Sequence, residues 1–319
     1  NKDAIKMLRE VGSNIMVFYE YVLQRTDHRL LHYPLMRTPF QMTSILMGYV
    51  FFSLYAGPLL MANRKPYNLK TAMIIYNFSM VSLNTFLVYE FLMSGWATTF
   101  TWRCDLCDYS SNPQALRNLY CIMKCMFYFT FKYFFFVLRK KHSQITFLHV
   151  FHHSFMPFTW WWGITIAPGG MSSFHAMVNC CVHIIMYTYY GLSAAGPRFQ
   201  KYLWWKKYMT AIQLIQFVLI SLHISQYYFM EKCDFQVPMF IHLIWMYGTF
   251  FFLLFSNFWI QAYVKGKRLP TATMEKLKQN GVINGDVTVV INSKPLENSN
   301  GITAHRVNGH NQLGKVKEV

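Results

Sequence analysis

The sequence predicts an all-α polytopic membrane protein with seven transmembrane helices, on three observations. The 319 residues are 54% hydrophobic and 18% aromatic but only 13% charged, where a soluble domain carries about 25% charged residues. The apolar residues gather in runs near the ~20 residues that a helix needs to cross ~30 Å of hydrocarbon. Basic residues concentrate in every second connection between those runs, the asymmetry that orients helices in a bilayer.

Residues 1–40 are mixed, with Asp3, Glu10, Glu20 and Asp27 offsetting several bases. They read as an amphipathic segment ahead of the membrane. His28 and His32 in this segment read as surface residues on one helical turn. The predicted spans are 41–62, 71–94, 118–138, 146–167, 172–191, 208–229 and 237–262. Between spans one and two lie Arg64, Lys65 and Lys70; between three and four, Arg139, Lys140 and Lys141; between five and six, Arg198, Lys201, Lys206 and Lys207; after seven, Lys265, Lys267 and Arg268. The other connections are poor in bases. The basic side is therefore cytosolic, with residues 1–40 lumenal and the C-terminus cytosolic. No cleavable signal peptide is visible, since the first apolar run begins near residue 41.

The net charge of +17 would suit a nucleic-acid binder, but the bases sit in short loops between apolar runs, so no nucleic-acid partner is expected. Cytosolic cations could instead hold a polyanionic ligand. Residues 265–319 lose the aromatics and the apolar period, and read as a disordered cytosolic tail beyond a membrane domain at 41–264. The sequon Asn77-Phe-Ser79 falls inside span two and is dismissed as a glycosylation site. Seven cysteines are too few and too scattered for a disulfide scaffold or a zinc site. Cys104, Cys107 and Cys233 fall in lumenal loops, where oxidation is permitted. A Cys104–Cys233 disulfide is expected to tie two of these loops together, with Cys107 as the competing partner. Cys121, Cys125, Cys180 and Cys181 fall within spans, where free thiols behave as small apolar residues.

The chemistry gathers around His149, His152 and His153, spaced i, i+3, i+4 on one helical face. Polar groups at membrane depth usually serve a site facing the bundle interior. At about 1.5 Å per residue, His149 and His152 lie roughly 5–10 Å below the cytosolic face and His183 about 12 Å. Asn179 stands one turn deeper on the same side as His183, and Thr210, Gln213 and Gln216 descend the first turns of span six. Three helices thus carry polar groups to one depth, open to the cytosol over an apolar, aromatic deep end. That combination suits a fatty acyl thioester.

Two chemistries use HxxHH in membranes. Di-iron oxidation needs about eight histidine ligands, but there is one HxxHH here, His28 and His32 lie on the opposite side, and His175, His223 and His242 stand alone. No metal is expected. Metal-free acyl transfer needs only an imidazole as base or nucleophile.

Four stretches make the chain recognisable: Leu138-Arg-Lys-Lys141, His149-Val-Phe-His-His153, Asn179-Cys-Cys-Val-His183 with its continuation to Tyr190, and Met209-Thr-Ala-Ile-Gln-Leu-Ile-Gln-Phe217. Over residues 28–268 the chain resembles the very-long-chain fatty acid elongases, membrane 3-ketoacyl-CoA synthases of the endoplasmic reticulum. The resemblance implies seven helices, six of them in an inverted barrel around an acyl tunnel. It implies condensation of a long-chain acyl-CoA with malonyl-CoA, with loss of CO₂ and CoA, through an acyl-imidazole, and no bound cofactor. By position, His152 and His183 would be the acylated or attacking pair, His149 and His153 would complete the box, and Asn179 would polarise a carbonyl or help decarboxylate malonyl-CoA. Arg139, Lys141, Gln144, Lys206, Thr210 and Gln213 would hold the CoA part. Lys315 and Lys317 match a KxKxx endoplasmic reticulum retrieval signal. Implied partners are the ketoacyl-CoA reductase, hydroxyacyl-CoA dehydratase and enoyl-CoA reductase of the cycle, and homo- or hetero-oligomers with other elongases. One departure stands out. The family carries K-x-x-E-x-x-D-T in span three, whereas this chain has no Glu or Asp between Asp108 and Glu231, and the segment reads about three residues short. Either a diverged paralogue or a mistranslated exon would account for it. A diverged paralogue could be an inactive scaffold.

Overall fold

The structure is a computed structural model that describes residues 2–127, 132–140 and 147–265. Among the described residues every regular element is helical. Helix α1 spans Lys2–Arg25, α2 Pro39–Met61, α3 Lys70–Trp96, α4 Pro113–Phe127, α5 Lys132–Leu138, α6 Phe147–Ile166, α7 Phe174–Ala195, α8 Lys206–Phe229 and α9 Pro238–Val264. The segment read as amphipathic is thus largely one 24-residue helix, α1, followed by two short 3₁₀ turns.

The described residues of the predicted spans lie mostly in helices. Among the described residues four helices, α2, α3, α8 and α9, are long and apolar enough to cross a membrane. The helices that fall short do so for readable reasons. α6 carries three histidines and three tryptophans, and α7 carries His175, Asn179, His183 and three tyrosines. The polar groups that lower the hydropathy of α6 and α7 are those of the candidate site.

Prolines set several helix starts. Pro39, Pro113 and Pro238 each occupy a first helical position, where the missing N–H is not needed. Inside α2, Pro58 follows a π-type turn at Phe52–Ala56 that absorbs the break in the ladder. Pro157 lies within α6 and cannot donate to the carbonyl of His153, four residues earlier. Helix α7 is the central element, packed along α3 and against α4 and α8, while α6 packs against α1, α2, α4 and α9. The largest apolar core joins α2, α3, α4, α6 and α7, with Leu46, Phe91, Met126, Trp160 and Cys180 among its buried members. Gly163 lets α9 approach α6, since a Cβ there would sit 2.1 Å from the Phe240 ring. Asn77 of the dismissed sequon is buried and donates to the Met73 carbonyl at 2.6 Å.

One end of the bundle is tied by a polar knot. Cys104 and Cys233 form a disulfide, with Cα atoms 5.7 Å apart. Two hydrogen bonds clamp the same loops: Cys107 N–H donates to Gln236 Oε1 at 3.1 Å, and Gln236 Nε2 donates to the Cys107 carbonyl at 2.9 Å. The Cys107 thiol donates to the Gly169 carbonyl at 3.1 Å, and Tyr109 Oη donates to Ile166 at 2.7 Å. Arg29 pairs with Asp27 and donates to the Asp108 carbonyl at 3.1 Å. At the opposite end stand the basic residues, where Lys140 Nζ donates to the Ala62 carbonyl beyond the end of α2.

Two predictions arise at the disulfide end. Burial pushes the Cys107 thiol up to about 12, so it should resist iodoacetamide at pH 8 in the folded protein and react after unfolding. The sign follows from the raised value. The stabilisation is present below the unfolded thiol pKa of about 8.5 and is lost as pH climbs toward 12. Rapid labelling of Cys107 in folded protein would contradict this. Gly170 has φ +59°, and a Cβ there would lie 2.3 Å from the Asp105 carbonyl oxygen, itself the acceptor for Met171 N–H at 2.7 Å. Gly170→Ala should therefore destabilise by about 1–3 kcal/mol, read as a lowered Tm in detergent. An unchanged Tm would show that the loop can yield.

Candidate active site

The three box histidines occupy the first turns of α6. His149 and His153 stack at i, i+4, with ring centroids 4.8 Å apart and planes 26° from parallel. His152 stands edge-on to His153 at 5.2 Å. It presents the same edge-to-face geometry to Phe251 at 5.1 Å and Phe255 at 5.7 Å, both on α9. His149 lies against Phe136 of α5 at 5.8 Å. Helices α5 and α9 thus bracket the box.

On α7, Asn179 and His183 are buried one turn apart. His183 is backed at 5.6 Å by Tyr187, which is fully buried and meets Tyr76 of α3 at 6.1 Å. On α8, Thr210 and Gln216 are buried, and Gln213 Nε2 reaches Met186 Sδ of α7 at 3.7 Å. Met186 is one turn beyond His183, so Gln213 stands beside the His183 turn. Phe217, one turn past Gln213, lies 6.2 Å from Phe251 and 5.3 Å from Phe255. A continuous path of contacts therefore runs from His152 through Phe251 and Phe217 to the α8 turn of Gln213, and on to the α7 turn of His183. Both histidine turns border the same apolar core, through Met156 and Trp160 of α6 and Met177 and Cys180 of α7.

Asn179 Oδ1 is enclosed and has no hydrogen-bond donor. Such an orphan costs about 1–3 kcal/mol, which a ligand donor would offset. Buried imidazoles on α6 and α7, the Asn179 amide and the Thr210 hydroxyl are the inventory needed to attack and polarise a carbonyl.

The proposed CoA-binding residues are distributed. Lys206 begins α8 at the basic end, and its carbonyl accepts from Tyr263 Oη at 3.4 Å. Arg139, at the end of α5, directs Nη1 to Met73 Sδ of α3 at 2.8 Å. Lys141, Gln144, Lys315 and Lys317 lie outside the described residues, as does the stretch 128–131 within the span that departs from the family pattern. His28 and His32 are exposed on a 3₁₀ turn. His175 contacts the Ser172 carbonyl, and His242 Nδ1 pairs with Tyr228 Oη at 2.6 Å. Among the described residues no group of three or more His, Cys, Asp or Glu side chains is placed to hold a metal ion.

Sequence reasoning missed Tyr187 and Phe251. Tyr187 is one turn from His183 at i+4, a spacing that could have found it. Phe251 lies almost a hundred residues from His152, and one aromatic among the many of α9 carries no signal.

A family model described as ELO: GNS1/SUR4 family matches residues 34–271. The chain is 60% identical over 274 residues to Very long chain fatty acid elongase 1 of Homo sapiens, covering 84% of this chain and 95% of that protein. It is 50% identical over 272 residues to Very long chain fatty acid elongase 7 of Rattus norvegicus, covering 83% and 95%. With Very long chain fatty acid elongase 7 of Drosophila melanogaster it shares 40% identity over 298 residues, covering 91% and 87%.

Proposed function

This chain belongs to the ELO family, and on that premise we propose that it is a fatty acid elongase, the 3-ketoacyl-CoA synthase that condenses a long-chain acyl-CoA with malonyl-CoA. The observation that carries the reading is the contact path that gathers the turns of His152, Gln213 and His183 around one apolar core. The acyl chain would lie among the aromatic and methionine side chains of that core, with its thioester at the histidines and its CoA part at the basic end. Lys141, Gln144, Lys206, Thr210, Gln213 and Arg139 would hold the CoA. One imidazole of the His152/His183 pair would displace CoA thiolate to give an acyl-imidazole. Decarboxylation of malonyl-CoA would then supply the carbanion that takes the acyl group, releasing the imidazole, CO₂ and a ketoacyl-CoA two carbons longer. Asn179 would steady a carbonyl oxygen. No bound cofactor enters this sequence.

The finer architecture belongs to the same reading. It has seven spans at the predicted positions, six of them around the tunnel, in the endoplasmic reticulum membrane, with the disulfide end lumenal and the basic end cytosolic. Residues 1–40 form the lumenal segment and 265–319 the cytosolic tail. The reductases and dehydratase of the cycle act on the product, and homo- or hetero-oligomers with other elongases are the expected assemblies. The test is to express the chain in elongase-deficient microsomes with C18–C26 acyl-CoAs and labelled malonyl-CoA. A labelled product two carbons longer is expected. Folded protein without product would overturn the reading and favour an inactive scaffold, consistent with the missing span-three carboxylates.

A further inference from the structure

The interior holds a second reactive pair that the condensation does not use. Cys125 of α4 and Cys180 of α7 place their sulfurs 3.3 Å apart in hydrogen-bond contact. Their residues are 2% and 0% exposed, within the main apolar core. They come from different helices, 55 positions apart. Cys180 directly follows Asn179 and precedes His183 by three residues, so the pair borders the candidate active site.

A disulfide needs its sulfurs about 2.05 Å apart. The present separation is a little over 1 Å longer, within reach of a side-chain rotation and a small helix shift. We propose that Cys125 and Cys180 form an oxidative modification site, a dithiol that an apolar hydroperoxide converts into an intramembrane disulfide. The surroundings select the reagent. A charged oxidant such as glutathione disulfide would have to shed its hydration to reach a dry core, whereas an alkyl or lipid hydroperoxide dissolves in hydrocarbon.

The chemistry balances without further reactants. One thiol attacks the peroxide while its proton passes to the departing oxygen, breaking the O–O bond and giving a sulfenic acid and an alcohol, a slower route than attack by a thiolate. The second thiol, already in contact, displaces water from the sulfenic acid and forms the S–S bond. In total, two thiols and one hydroperoxide give one disulfide, one alcohol and one water. The sulfurs lose two electrons and the peroxide gains them. Contact between the thiols favours this resolution over further oxidation, because the resolving sulfur is in place when the sulfenic acid forms. Cys181, on the next position of α7, is exposed, so it serves as an internal control.

The new bond would staple α4 to α7 beside Asn179 and His183. A shift of about 1 Å at reacting groups can cost about 10²-fold in rate, so oxidation should lower turnover tenfold or more, and a thiol reductant should restore it. This functional half rests on the elongase reading; the bond itself does not.

The experiment uses the full chain in phospholipid nanodiscs treated with cumene hydroperoxide, then denatured, alkylated with N-ethylmaleimide and mapped by mass spectrometry. A linked Cys125–Cys180 peptide, 2 Da lighter than the two thiol peptides together and split by dithiothreitol, is expected. Cys125→Ser and Cys180→Ser should each abolish it, and Cys181→Ser should not. Full alkylation of both cysteines after peroxide, or a link from Cys121 to Cys180 instead, would overturn the site. Elongation is measured on the same samples. A formed bond with unchanged turnover would overturn the functional half alone, whereas absence of elongation before peroxide would count against the elongase reading and leave the peptide map to decide the site.

Discussion

His152→Ala and His183→Ala should each reduce elongation about 10²–10⁴-fold, the range for removing a group that transfers a proton or carries the acyl chain. The double variant should be little worse than either single one, because residues acting on one reaction coordinate lose their effects together. Acyl-CoA binding should persist in all three, since the CoA part lies toward the basic end and the acyl chain in the apolar core. A suitable control is His242→Ala. His242 is exposed on α9, where its ring meets Tyr228 and Tyr227, so full activity is expected. Single-turnover release of CoA from acyl-CoA without malonyl-CoA separates the roles further. The histidine that accepts the acyl group should be needed for that half-reaction, and its partner only for the second. If His152→Ala kept full activity in folded protein, the residue assignment would fail while the fold and family would stand.

The helical framework was legible because hydropathy and loop charge are local. Spans two, four, five, six and seven begin and end within a few residues of α3, α6, α7, α8 and α9. The candidate site could be sketched from sequence because His149, His152 and His153 share a helical face by spacing alone, and because rise per residue puts His183 at a comparable expected depth. What depth cannot supply is azimuth. It does not say which face of α9 meets His152, so Phe251 stayed hidden until the helices were packed. The contact of Cys125 with Cys180 was illegible for the same reason, since by sequence both are small apolar residues within spans. The disulfide end was read only as a covalent pairing. The Cys107–Gln236 clamp and the tight passage at Gly170 depend on loop conformations that have no periodicity to read. Conversely, the hydropathy of α6 and α7 is lowered by the residues of the candidate site, so the helices that carry it give a weaker span signal than α2, α3, α8 and α9.

Cys104→Ser should lower stability by about 2–5 kcal/mol, because the bond closes a loop with a sequence separation of 129 and long loops gain most from closure. The same drop in Tm should follow treatment of the wild type with a reductant, and the reductant should have no further effect on Cys104→Ser. Gln236 holds the same two loops together through both of its amide atoms, so Gln236→Ala should cost about 1–3 kcal/mol by itself. The two changes remove restraints on one shared pair of loops. Their combined effect should therefore depart from additivity, with the double variant losing more than the sum if each tie keeps the other in register. Function should respond differently from stability. Along α6 the disulfide end is about 21 Å from His152, taking 14 residues at about 1.5 Å each. At a temperature where the variant remains folded, kcat for elongation should be close to wild type. A large loss of kcat with little change in Tm would mean that the knot shapes the acyl-binding interior rather than holding the bundle shut, and would move the far end of the site to the Cys104–Cys233 loops.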